Sequence, residues 1–194
     1  MVTIIAGDLR VTHRKGVSDK SLRRNLYRSC HTVSMLEWSD VEIDTGLFVR
    51  ISAAGAAVRS IEFAPYSPPQ GERNDRCTII EEARRQLRDY FAGTRRRFDL
   101  PVDPQGTAFQ QRVWQYLVTI PFGETRSYSQ VAEAIGSPAA VRAVGAANGA
   151  NPIPIVVPCH RVIGANGKLT GYGGGLPLKQ RLLELEGCTT MRLA

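Results

Sequence analysis

Apolar and polar residues alternate with a period of two between Val41 and Tyr66, most clearly in Leu47-Phe-Val-Arg-Ile51 and Ala57-Val-Arg-Ser-Ile-Glu-Phe63. That period marks strands with one buried face, and the Ala-Ala-Gly-Ala between the runs suits a hairpin. Ser67 to Asp75, rich in Pro, Gly and polar residues, reads as a loop. At Thr78 the period lengthens: Ile80, Ala83, Leu87, Tyr90 and Phe91 share a helical face, Thr78 and Glu81 have capping-box spacing, and Gly93 ends the run. Asp99 to Gly106 reads as an extended linker, and the domain boundary is placed there.

Beyond it, Thr107 and Gln110 have capping-box spacing ahead of a helix with Phe109, Val113, Trp114 and Leu117 on one face, broken by Pro121-Phe-Gly-Glu-Thr125. Two short helices follow, Tyr128 to Ile135 and Pro138 to Asn148, with Ser137 as N-cap and Pro138 in the first turn. Helix, Gly-containing turn, helix is the helix-turn-helix pattern, which plain helical hairpins share. The fold class predicted is α+β. A small N-terminal α/β domain with a short antiparallel sheet (41–103, linker included) precedes a mostly helical, winged-helix-like C-terminal domain (104–190). Residues 1–40 read as a basic, poorly ordered extension, with a nucleic-acid-binding arm as the alternative.

Composition narrows the function classes. The 194 residues are 43% apolar and 22% charged, a globular balance, and no stretch has the ~18 apolar residues of a membrane helix. Met1 to Asp8 ends too soon for a signal peptide, so a cytoplasmic protein is expected. The net charge is +7, with 21 Arg among the 25 basic residues, which favours an anionic partner and nucleic acid first. Four scattered Cys without a CxxC and three His suggest neither a disulfide framework nor a metal site; no metal and no cofactor are predicted.

The second short helix offers a single charged side chain, Arg142, among Ala140, Ala143, Gly145 and further alanines. Major-groove readers need several long polar side chains, whereas small residues let a backbone approach a minor groove or a neighbouring helix. In Asn151-Pro-Ile-Pro-Ile-Val-Val-Pro-Cys-His-Arg-Val162, three prolines exclude a central strand and imply a rigid apolar wall presenting Cys159. A nucleophilic thiol needs a base or positive charge nearby, and His160 and Arg161 follow directly. Adjacent side chains of an extended segment point apart, so the residues alone leave a reactive and an inert thiol equally open. Glu186 sits at the end of a helix over Pro177–Glu186 with a Leu178, Leu182, Leu185 stripe. The macrodipole disfavours a carboxylate there, and an imidazole N–H is a natural compensating partner.

Asn151–Val162, Gly171-Tyr-Gly-Gly-Gly-Leu176 and Leu182-Leu-Glu-Leu-Glu-Gly187 resemble the O6-alkylguanine-DNA alkyltransferases, also called methylated-DNA–protein-cysteine methyltransferases. Phe109-Gln-Gln-Arg-Val-Trp114, Ile120-Pro-Phe-Gly-Glu-Thr125, Ser127-Tyr128 and Arg142-Ala-Val-Gly145 extend the resemblance over about residues 104–188. It implies single-turnover repair of double-stranded DNA, in which Cys159 takes the alkyl group from O6-alkylguanine, and O4-alkylthymine as well. It further implies that His160 activates Cys159 through a water, Glu186 orients His160, Asn151 braces the turn and Tyr128 donates to the departing base. Val162, Pro154, Tyr172 and Gly173 would line the base and alkyl pocket. Arg142 would fill the gap left by the flipped nucleotide, with Ala140, Ala143 and Gly145 against the minor groove. Some members have Ser where this chain has Gly173, and some bind zinc, for which Cys30, His31 and Cys77 lack ligand spacing. A monomer in solution, with clustering on DNA left open, is expected. The competing reading is a non-catalytic helix-turn-helix lesion binder or regulator.

Overall fold

The computed structural model describes residues 35–188 together with the two-residue strand β1, Ile4–Ile5. The basic residues between Arg10 and Arg28 lie outside the described residues. A six-stranded sheet is built from β2 (Leu36–Asp44), β3 (Leu47–Ala54), β4 (Ala57–Phe63), β5 (Glu72–Arg73) and β6 (Pro101–Val102), in the order β1-β6-β4-β3-β2-β5. Its centre, β2-β3-β4, is antiparallel, while β5 on β2 and β6 on β4 run parallel, so the sheet is mixed rather than purely antiparallel. It also starts earlier than the alternation suggests. Residues 36–40, expected in the basic extension, form the first half of β2, and Ile4–Ile5 pair with β6.

The reason is a polar position on a buried face. Ser39 is buried but its hydroxyl donates to Asp75 Oδ1 at 2.7 Å. Arg50 is likewise sheltered on β3, donating to both Asp40 oxygens at 2.8 and 3.0 Å between the rings of Trp38 and Tyr66.

Helix α1, Thr78–Phe91, lays Ile80, Ala83, Leu87 and Tyr90 on the sheet. The expected capping box is not there: Thr78 is already helical, and the N-cap is Cys77, which makes no side-chain cap. Gln86 is buried because its amide pairs with both the N–H and the carbonyl of Asp99, which ties the linker to the helix. The linker then enters the sheet as β6.

In the C-terminal half, α2 (Ala108–Leu117) has the expected Thr107/Gln110 capping box, and α3 (Tyr128–Ala134) has another from Ser127 and Gln130. After Gly136 the chain makes a 3₁₀ turn, Pro138–Ala140, before α4, Val141–Gly149. Ser137 makes no cap hydrogen bond, contrary to expectation. The Trp114 indole N–H donates to Ala147 O at 2.8 Å, bracing α4 from behind. Two short strands, β7 (Arg126–Ser127) and β8 (Val162–Ile163), pair in parallel. The chain closes with α5, Gly175–Leu185, whose buried positions are Lys179, Leu182 and Leu183; Leu178 and Leu185 are only half buried. One continuous apolar cluster runs from Val41 to Leu182 through both halves, and Ile61 N donates to Pro152 O at 2.8 Å across them.

Candidate active site

The wall before Cys159 is a braced turn. Asn151 Nδ2 donates to Val157 O at 2.8 Å, and Ile153 N donates to Asn151 Oδ1 at 3.0 Å, closing the turn from both sides. Inside it Ile155 takes φ +73°, a left-handed conformation that a β-branched residue adopts only when its surroundings impose it. Cys159–Arg161 then form a single 3₁₀ turn. Successive side chains in such a turn are rotated by about 120°, so the opposed orientation expected of an extended Cys-His pair does not apply.

His160 has 0% exposure, and its Nε2 lies 2.9 Å from Glu186 Oε1. Glu186 caps the end of α5 and is buried, with donors on both oxygens. Arg161 Nη2 (2.9 Å) and the Tyr90 hydroxyl (2.6 Å) also reach Oε1, while Arg161 Nε (2.9 Å) and Gly123 N (3.1 Å) reach Oε2. Together these donors offset the unfavourable helix dipole at that end. Burial pushes the Glu186 carboxyl up, but hydrogen bonds from His160 and Arg161 outweigh it and hold the group well below the usual carboxylate range. Burial lowers His160, leaving a neutral imidazole. With its one hydrogen directed from Nε2 to Glu186, Nδ1 is a lone-pair acceptor, and that atom is buried without a protein partner.

Burial pushes the Cys159 thiol up to about 11, against the lowering effects of Asn151 and of the Lys179 charge. The resting group is therefore a thiol that needs a base. Lys179 itself is fully buried, donating to Val162 O at 2.7 Å and Thr170 O at 2.8 Å, and burial brings it down to about 8.

The β7–β8 pairing brings Ser127 beside Ile163, and so sets Tyr128 near the strand that follows Cys159. The Tyr128 hydroxyl accepts from Thr170 Oγ1 at 3.0 Å, which leaves its own hydrogen free. Pro154 and Val162 are buried; the Tyr172 ring stands edge-on to His160 with centroids 6.5 Å apart. Gly173 is exposed, and nothing lies within 4 Å of where its Cβ would stand, so a serine would fit there without strain. On α4, Arg142 and Ala143 are exposed, and Ala140, in the turn before it, is half buried. Gly145 is placed differently from its expected outward position: a Cβ there would meet the Tyr128 ring at 3.9 Å, so it borders the α3 contact.

A family model described as the DNA binding domain of 6-O-methylguanine DNA methyltransferase matches residues 108–188. A methylated-DNA–protein-cysteine methyltransferase from Mycobacterium tuberculosis is 66% identical over 101 residues, 52% of this chain; the match spans 61% of that relative's length. The same-named protein of Mycolicibacterium paratuberculosis is 49% identical over 154 residues, covering 78% of this chain and 93% of its own. The chain belongs to the methylated-DNA–protein-cysteine methyltransferase family. A crystal structure of Mycobacterium tuberculosis OGT in complex with DNA matches it with a TM-score of 0.71 at 46% identity, covering 79% of this chain and 92% of that one.

Within this methyltransferase fold, Cys159, His160, Glu186 and Asn151 lie together and Tyr128 is tied to Thr170, whereas Arg142 is exposed on α4. Reading the sequence alone sets Arg161 beside the thiol but misses its pairing with Glu186, and it misses Tyr90, Gly123 and Lys179 as members of the cluster. Arg161 carried a visible signal, a cation beside a candidate base. Tyr90 carried a weaker one, a hydroxyl on an otherwise apolar stripe that needs a buried partner. Among the described residues no His, Cys, Asp and Glu side chains gather to hold a metal, and no helix is long and apolar enough to cross a membrane. Cys30 and His31 lie outside the described residues.

Proposed function

We propose that this chain repairs double-stranded DNA by taking the alkyl group of O6-alkylguanine, and of O4-alkylthymine, onto Cys159 in a single irreversible event. The observation that carries the reading is the buried set Cys159, His160 and Glu186, with His160 Nε2 spent on Glu186 and Nδ1 left as an acceptor without a protein partner. The Cys159 proton passes by way of a water to Nδ1, and Glu186 stabilises the imidazolium that results. The Sγ–carbon bond forms as the carbon–O6 bond breaks, and the electron pair stays on the base. The Tyr128 hydroxyl, whose hydrogen is free, meets the charge on the departing guanine. A thioether offers no easy leaving step, so the protein acts once.

Cys159 is only 5% exposed, so the base must leave the stack to reach its thiol. Arg142 takes the vacated place, and the alanine-faced α4 lies against the minor groove. Val162, Pro154, Tyr172 and Gly173 border the base and its alkyl group. The whole relay belongs to one chain, which suits action as a monomer on DNA, in the cytoplasm beside the chromosome. A regulator or passive lesion binder has no use for a buried thiol next to an imidazole held by a carboxylate, which disfavours the competing reading.

The test is intact mass after mixing with a duplex carrying one O6-methylguanine. One methyl group gained, mapped to the Cys159 peptide and absent from Cys159→Ala, is the expected result. Tight duplex binding with no mass change sinks the repair reading.

A further inference from the structure

The relay ends on a residue of the N-terminal half. Tyr90 is the last inward residue of α1, and its ring sits among Phe91, Phe98 and Phe122, with centroids 5.6, 5.4 and 6.2 Å away. A phenylalanine would satisfy such packing. The hydroxyl is an addition, and burying it is costly unless it is bonded. Its hydrogen goes to Glu186 Oε1 at 2.6 Å, the short distance of a charge-assisted bond, and its oxygen lies 3.5 Å from His160 Nε2.

We propose that Tyr90 is a positioning residue of the alkyl-transfer site: by sharing Glu186 Oε1 with His160, it fixes the carboxylate that orients the imidazole and tempers that carboxylate's pull on the imidazole proton. The base of the C-terminal half is thereby tuned from the N-terminal half. The kinetic side of this inference rests on the alkyl-transfer reading; the titration side does not.

Glu186 and Arg161 bear directly on His160, Lys179 and Cys159 act on it or its site through space, and Tyr90 and Tyr172 face it from α1 and from the glycine loop. Between pH 5 and 7 Glu186 is ionised, Lys179 is cationic, and Cys159 and both tyrosines are neutral. His160 is the one neutral base among these groups, and burial lowers its affinity for a proton. Three donors draw on Oε1, namely Tyr90, His160 and Arg161. Removing the first leaves the oxygen more basic toward the second, so the His160 inflection moves to higher pH.

The experiment follows His160 by NMR titration of the free full-length protein, and alongside it the single-turnover methyl-transfer rate against pH. Tyr90→Phe is expected to raise the inflection by about 0.5–1 unit. It should slow transfer about tenfold at neutral pH through the less firmly held imidazole, while each molecule still takes one methyl. Site-specific 3,5-difluorotyrosine at position 90, a stronger donor of nearly the same shape, is expected to move the inflection down, and it decides the matter should the Phe variant fail to fold. A purely structural role leaves the inflection in place. An unmoved inflection in either variant that folds overturns the proposal. Should the wild-type chain itself take no methyl, the repair reading fails, and the titration still decides the role of Tyr90.

Discussion

Glu186→Gln removes one charge from a buried cluster without changing its shape, and its effect can be worked out from the donors present. Oε1 faces Tyr90, His160 and Arg161 Nη2, and Oε2 faces Arg161 Nε and Gly123 N. Whichever way the glutamine amide turns, its NH₂ points at two or three donors, and Arg161 loses its counter-charge while only 8% of its side chain is exposed. Breaking a buried ion pair on one side costs about 3–5 kcal/mol. For a chain of 194 residues, that lowers the melting temperature by about 6–20 °C. The loss also depends on pH. The folded-state pKa of Glu186 lies below its ordinary 4.5, so its stabilisation is fully present above about pH 4.5 and is lost as pH falls through the folded value. Urea unfolding of both proteins should show a constant gap from pH 5 to 7 that narrows by about 1.4 kcal/mol per unit below 4.5. Adding Arg161→Met should recover part of the loss, since it removes the stranded charge. A gap under about 1 kcal/mol at pH 7, or one that persists unchanged to pH 3, refutes the reasoning.

Three other outcomes are expected. With its pKa near 11, Cys159 is thiolate in fewer than about one molecule in a thousand at pH 7.5, so iodoacetamide should label it ~100-fold more slowly than an ordinary cysteine; equal rates by peptide mass before and after denaturation in urea would contradict this. Tyr128→Phe should leave duplex affinity within twofold and slow methyl transfer about 100-fold, the scale of one oxyanion-type donor; an unchanged single-turnover rate rules the hydroxyl out. Arg142→Ala, on an exposed position, should keep the melting point while weakening DNA binding about tenfold and reducing the salt slope by about 1, and titration of a labelled duplex at several salt concentrations measures both.

What the sequence makes legible is local. The Thr107/Gln110 box, the hairpin at Gly55 and the paired short helices all follow from residues a few positions apart, and the structure has them, although a 3₁₀ turn replaces the first three residues expected of the second helix. The start of β2 was hidden because an inward position is Ser39, whose partner Asp75 is 36 residues away. Thr78 matched a capping box by spacing, but the turn at Asn74 begins the helix one residue sooner. Lys179 lies off the stripe of Leu178, Leu182 and Leu185, and nothing in its neighbours along the chain marks it as buried. It is buried because the carbonyls of Val162 and Thr170 converge on its amine. Tyr90 and Glu186 are 96 residues apart, and no periodicity connects them. Glu186 itself was legible through its misfit with the helix dipole, which called for partners without naming all of them.

The outer face of α4 reverses the usual relation between exposure and freedom to vary. Ala143 and Ala146 are both open to solvent, as is Ala139 in the turn before the helix, where a protein ordinarily accepts almost any polar side chain. If that face lies flush against a duplex, each added methylene holds the backbone off the groove and acts as a spacer. Substitution there is then as restricted as in an interior, although the restriction is invisible in the free protein: an alanine-to-lysine change on this face leaves the fold intact, adds favourable charge, and still weakens the encounter with DNA. Across relatives these surface positions should therefore drift as little as the buried Val144 and Ala147 on the opposite side of the same helix.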